Sequence, residues 1–141
     1  MRCLGRAAAM FCGGMLLAGC QSPVNPALNY RIMTMRYGVN HRVPYDPRCK
    51  SFSLSPADAV RFFQNATEVG QKQFRQFAMT SSCYYDGSMM INGDILQWRI
   101  TGAGVGFLSR GLSYADNQLF LCSMYCQQAF GQRFPVYKLD Q

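Results

Sequence analysis

The chain is poor in the residues from which most active sites are assembled. Its 141 residues include one histidine, His41, one glutamate, Glu68, and one tryptophan, Trp98. A serine or cysteine nucleophile needs a base beside it, and His41 is the sole histidine, placed in a proline-rich stretch. A pair of carboxylates for acid/base work fares no better, because Asp58 suits a helix start, Asp86 a strand pair and Asp94 the flank of a turn. The glycines of 102–106 (GAGVG) are followed by a strand-like pattern rather than a helix, and no Gly-Lys-Ser/Thr occurs. They read as a turn or bulge, not a phosphate loop. Met33, Met35 and His41 could interest a soft ion such as Cu(I), but as a sparse set on an irregular segment they lead us to expect no metal and no cofactor. Charged residues make up only 15% against 49% hydrophobic, which excludes a disordered polymer, and the length limits the chain to one modest domain.

What the chain does have is a distinctive beginning. Arg2 and Arg6 precede an apolar run from Ala7 to Ala18, the layout of an export signal and too short for a retained span, which needs about 20 apolar residues. The run closes on Leu17-Ala18-Gly19-Cys20, which closely resembles the lipobox of bacterial lipoprotein precursors. The resemblance implies cleavage before Cys20, acylation of its thiol and stable membrane anchoring through several acyl chains. Gln21, not being Asp, resembles the following residue of lipoproteins sorted to the outer membrane, so the expected location is that membrane, facing the periplasm.

Processing changes the other counts. Loss of Arg2 and Arg6 leaves 12 basic against 7 acidic residues, a charge of +5 on residues 20–141. An exported chain of that charge meets head groups, anionic glycans and envelope proteins, so nucleic acid is not an expected partner. Cys3 and Cys12 leave with the leader and Cys20 takes lipid, so Cys49, Cys83, Cys122 and Cys126 remain for two disulfides with three connectivities. Cys83 and Cys122 fall at the same end of an up-down meander. The expected pairing joins Cys83 to the Cys122/Cys126 segment and Cys49 to the remaining cysteine.

Three regions follow: a signal peptide over 1–19, a lipidated tether and basic irregular arm over 20–50, and a globular domain over 51–141. The arm holds four of the six prolines and shows no sustained period. Ser55, Pro56 and Asp58 specify a helix start, and Ala59, Phe63, Ala66, Gly70, Phe74 and Phe77 make one apolar stripe, which predicts an amphipathic helix over 55–78. Asn92-Gly93 predicts a type I′ hairpin that pairs Met89 with Leu96, Gly87 with Trp98 and Asp86 with Arg99, with Gly87 making room for Trp98. Residues 104–108 and 118–122 read as two more strands, and Ser123 to Phe130 as a short helix ended by Gly131. The expected fold is α+β: one amphipathic helix packed on a four-stranded antiparallel meander, with a short C-terminal helix.

The expected role is a non-enzymatic binding or assembly module of the cell envelope, either a complex component or an inhibitor of an exported toxin or hydrolase. Its partners would be the membrane, through the lipid, and an envelope protein. A small envelope enzyme acting on cell-wall material is the alternative. The basic arm from Arg31 to Lys50, interleaved with Tyr30, Tyr37 and Tyr45, is the expected contact surface, carried by Arg31, Arg36, Arg42 and Arg48, with the loop from Arg110 to Asn117 as the next choice.

Overall fold

The structure is a computed structural model that describes residues 28–111, 117–135 and 137–139. The leader, Cys20 and Gln21 lie outside the described residues. The fold is α+β: a six-stranded antiparallel sheet with three helices, in the strand order β1-β3-β4-β5-β6-β2. The strands are β1 Tyr30–Val39, β2 Thr67–Val69, β3 Cys83–Ile91, β4 Asp94–Thr101, β5 Val105–Ser109 and β6 Gln118–Leu121. The helices are α1 Pro56–Asn65, α2 Gln71–Phe77 and α3 Met124–Phe130.

The β3–β4 hairpin is built on its turn. Asn92 and Gly93 both take positive φ, 51° and 91°, as a type I′ turn requires. The expected register follows from it, with Met89 opposite Leu96, Gly87 opposite Trp98 and Asp86 opposite Arg99. Met89, Leu96, Trp98 and Ile100 are buried on one face, under Phe62 and Phe63 of α1 and Phe130 and Phe134 from the region of α3. Gly87, however, is demanded first by β1. A Cβ there would overlap the Thr34 carbonyl.

The predicted long helix is two helices and a strand. Its start is as expected, since Ser55 and Asp58 form a capping box and Pro56 opens α1. The Asn65 side-chain amide then donates to the Arg61 carbonyl at 2.7 Å, taking up one of the helix's last acceptors. Beyond it Ala66 is extended, and Thr67–Val69 pair with Leu119–Leu121 of β6. These three residues carry the chain around the sheet edge. As a result Phe63 packs with Trp98 and Phe120 on one face, whereas Phe74 and Phe77 pack on the other with Val69, Val105, Phe107 and Leu121. A single helical stripe could not reach both faces.

The predicted irregular arm is also corrected. Residues 30–39 form β1, an edge strand that pairs with β3 along its whole length. A bulge at Met33 hides it in the sequence: Tyr30 and Ile32 face the core before it, but Met35 packs there after it, so the alternation changes parity midway. The region after β1 is anchored as well. Asp46 caps the 3-10 turn Pro47–Lys50, accepts from Ser81 Oγ at 2.7 Å, and its backbone N–H donates to Ser82 Oγ at 3.0 Å.

Two disulfides are present, as expected, but they pair Cys49 with Cys83 and Cys122 with Cys126, not Cys83 with the Cys122/Cys126 segment. Strand order is the reason. Cys83 opens β3 and Cys122 follows β6, three strand spacings apart, or roughly 14 Å. That exceeds the reach of a disulfide, about 7 Å between Cα atoms. Cys49–Cys83 instead ties the segment after β1 to the start of β3 across 34 residues, and Cys122–Cys126 closes a separation of 4 at the start of α3.

The two bridges should therefore differ in worth. Loop entropy gives about 4 kcal/mol for the long closure and about 2 kcal/mol for the short one. Urea unfolding of Cys49→Ala/Cys83→Ala and of Cys122→Ala/Cys126→Ala is expected to show the larger loss in the first. Equal losses, or a larger loss in the second, would count against this pairing.

Candidate functional site

Helices cover the two faces of the sheet unequally. The face under α1 and α3 is closed along β3, β4, β5 and β6 by the main core. On the opposite face, α2 and the C-terminal residues Tyr137 and Leu139 cover the β5-β6-β2 side. Among the described residues, no helix packs on that face over β1, β3 and β4. There the sheet forms a groove of about 770 Å³, whose lining includes Arg36, Asp86, Gln97, Arg99, Phe107 and Ser109.

The register orders these residues into rows that cross the strands. Arg36 of β1 lies opposite Asp86 of β3, Asp86 opposite Arg99 of β4, and Arg99 opposite Phe107 of β5. The adjoining row is Thr34, Ser88, Gln97 and Ser109. In the first row, Asp86 takes Arg36 Nε–H on one oxygen at 2.8 Å and an Arg99 Nη2–H on the other at 2.9 Å. The Arg99 guanidinium also lies 4.0 Å from the centre of the Tyr84 ring, within cation–π range. In the second row Thr34 and Ser88 bond through their hydroxyls at 2.9 Å. The apolar end of the groove is Phe107, backed by Phe74 of α2 at 5.7 Å between ring centres.

Asp86 is the electrostatic centre of the groove. Burial pushes its carboxyl up, but the hydrogen bonds and charges of Arg36 and Arg99 outweigh this and hold it below the ordinary carboxylate value. The arginines remain accessible, with 79% of the Arg36 side chain and 43% of the Arg99 side chain exposed against 12% for Asp86. Two guanidiniums against one carboxylate leave a net positive charge, and each arginine spends only part of its donor fork on Asp86.

The four arginines expected to form one contact surface are divided among different tasks. Arg31 and Arg36 share the groove's face, because the bulge between them compensates their odd spacing. Arg42 is exposed in the turn after β1, where its backbone N–H bonds Asn40 Oδ1 at 3.0 Å. Arg48 is occupied by Asp46, with Nε 2.9 and 3.1 Å from the two carboxylate oxygens. It also lines a smaller cleft of about 340 Å³ with Phe52, Gly102 and Arg133. Of the loop that was the next choice, Gly111 and Asn117 line the main groove and 112–116 lie outside the described residues.

The Asp86–Arg99 contact could be read from the hairpin, but Arg36 joins it only through β1, which the bulge concealed. Tyr84, Gln97 and Phe107 carried no sequence signal as a set until the sheet order was known. Met33 is exposed at the bulge, Met35 packs toward the core and His41 lies in the following turn. No group of three or more His, Cys, Asp or Glu side chains close enough to hold a metal occurs among the described residues. No helix among them is long and apolar enough to cross a membrane.

Compared with known proteins, the chain matches no family model, no curated protein and no solved structure.

Asp46, Asp58 and Asp86 share one electrostatic behaviour. Burial opposes the charge of each, while hydrogen bonds and nearby arginines more than offset it, leaving all three below their ordinary value. Carboxyls depressed on folding stabilise the fold above their unfolded value, near 3.9, and that stability is lost as pH falls through the folded values. Thermal unfolding followed by circular dichroism is expected to show a midpoint that falls progressively below about pH 4. In Asp46→Asn/Asp58→Asn/Asp86→Asn the acid-side slope should be shallower than in the parent. An unchanged slope would remove these residues as its cause.

Proposed function

We propose that this chain is an envelope lipoprotein whose exported domain is a non-enzymatic binding module, with the open half of its sheet as the binding surface. The observation that carries the reading is the unequal covering of one sheet face. Helix α2 and the tail protect its apolar half, while the other half presents Arg36, Asp86 and Arg99 in a row within a groove. Cross-strand charge pairs stabilise a sheet by only about 0.2–1 kcal/mol each. A concave, partly apolar surface with a few convergent polar groups is the usual form of a recognition site. Location rests on the lipobox resemblance of Leu17-Ala18-Gly19-Cys20, and the two disulfides accord with an oxidising compartment.

Photo-crosslinking amino acids at Gln97 and Ser109, in the groove, should give discrete adducts in bacterial cells expressing the chain. The same group at Gln64, exposed on α1, should not. Equal adducts at all three positions, or none in the groove, would remove this surface as the site.

The anchor has a separate test. Cys20→Ala is expected to leave the precursor unprocessed or release the protein from membranes, because the Cys20 thiol is the attachment point in this reading. Unaltered membrane fractionation together with an unaltered precursor-to-mature mass change would rule the anchor out.

A further inference from the structure

We propose that the groove takes an extended acidic segment of a partner protein, lying across the strands with a carboxylate on Arg36 and Arg99 and an apolar side chain against Phe107. This inference rests on the binding-module reading and adds the chemistry of the partner. Three features of the groove support it together.

The first is charge. Asp86 neutralises one of the two guanidiniums and orients both, leaving a positive site with unused donors in two planar forks. A second carboxylate completes the neutralisation, and Arg99, stacked against Tyr84, meets it with part of its freedom already removed.

The second is polarity along the groove. The charged row ends at Phe107 and Phe74, so an occupant that satisfies both ends is anionic at one point and apolar at the next. Adjacent strands are about 4.8 Å apart, so the span from Asp86 to Phe107 is roughly 10 Å. A carboxylate midway between the two arginines lies over Asp86 and needs that full span, while one drawn toward Arg99, the direct neighbour of Phe107, needs about 5 Å. In an extended segment, side chains on the same side recur every two residues, at about 6.7 Å. An acidic residue followed two positions later by an aromatic or large aliphatic residue therefore fits the two ends.

The third is the parallel polar row. Gln97 lies beside the charged row and offers its side-chain amide to a peptide backbone, which an acyl chain would leave unused, whereas the neighbouring Ser109 hydroxyl is already bonded to Gly111. A flat anionic membrane would need basic side chains projecting from a convex surface. Here both guanidiniums are tied to Asp86, at 2.8 and 2.9 Å, rather than left free to project.

The test uses the full chain purified in detergent and a fluorescent peptide of sequence Gly-Ser-Glu-Ser-Phe-Ser-Gly, read by anisotropy at low and physiological salt. Saturable binding is expected, weakened about tenfold or more when the peptide Glu becomes Gln and weakened by added salt. Arg36→Gln/Arg99→Gln should weaken it to a similar degree, while Lys72→Gln, on exposed α2, should leave it unchanged. Arg99→Lys, which keeps the charge but loses the fork, should fall between. If the double variant does not fold, the Glu and Gln peptides on the parent chain decide the matter alone. Equal binding of those two peptides, no saturation up to millimolar peptide, or displacement of the peptide by anionic phosphatidylglycerol vesicles would overturn the proposal. Groove-specific crosslinks in cells without acidic-peptide binding would leave the binding module standing and discard its acidic partner.

Discussion

Pairing of Thr67–Val69 with β6 is a small interaction on which the layout of the molecule depends. It ends α1, supplies the last strand of the sheet and delivers α2 to the face opposite α1. Without that crossing, Phe74 and Phe77 would continue the stripe of α1, and Val105, Phe107, Leu119 and Leu121 would lose their cover. With it, one face is covered along β3, β4, β5 and β6 and the other only over β5, β6 and β2. The groove is the remainder of that division. Its position follows from where a seven-residue helix can reach, and its chemistry from the strands that α2 does not reach.

The C-terminal segment completes the covering without regular structure. Tyr137 is buried, donates its hydroxyl to the Ala103 carbonyl at 2.9 Å and accepts from the Met79 N–H at 3.1 Å. One side chain thus satisfies backbone groups from the β4–β5 turn and from the segment between α2 and β3. Burial raises its pKa, and the hydrogen bond from Met79 only partly counters this, so the phenol stays protonated and able to donate. Phe134 plays a comparable part on the other face, stacking edge-on with Phe52, Phe62 and Phe130. The glycine of the β4–β5 turn is fitted to it: Gly104 has φ 74°, and a Cβ there would sit 2.9 Å from that of Phe134.

Local features were legible in the sequence where one local rule decided them. The Asn92-Gly93 turn fixes the hairpin register by itself, and Ser55-Pro56 with Asp58 fixes the start of α1. Features that depend on distant strands were not. The bulge at Met33 breaks the alternation of β1 at its middle, so neither half is long enough to stand out as a strand. Residues 66–70 keep helical spacing in their apolar positions while their backbone is committed to an edge strand, a case of tertiary pairing overriding periodicity. The disulfide pairing depended on strand order, which no local signal contains. The candidate site was visible only as its Asp86–Arg99 half for the same reason, since Arg36 enters from a strand more than forty residues earlier in the chain.

Asp86 connects the fold to the proposed function. Its carboxylate joins edge strand β1 to β4 through two arginines on either side of it, which adds to the backbone pairing, the Thr34–Ser88 bond and the core packing that hold this edge. A long edge strand is a liability in any sheet, and β1 carries the usual protections, a bulge and exposed arginines. Those same arginines make the edge repel a second basic copy and attract an acidic segment. Under the proposed function, discouraging self-association and selecting a partner of opposite charge would be one electrostatic arrangement. A substitution that removed the positive charge would weaken both.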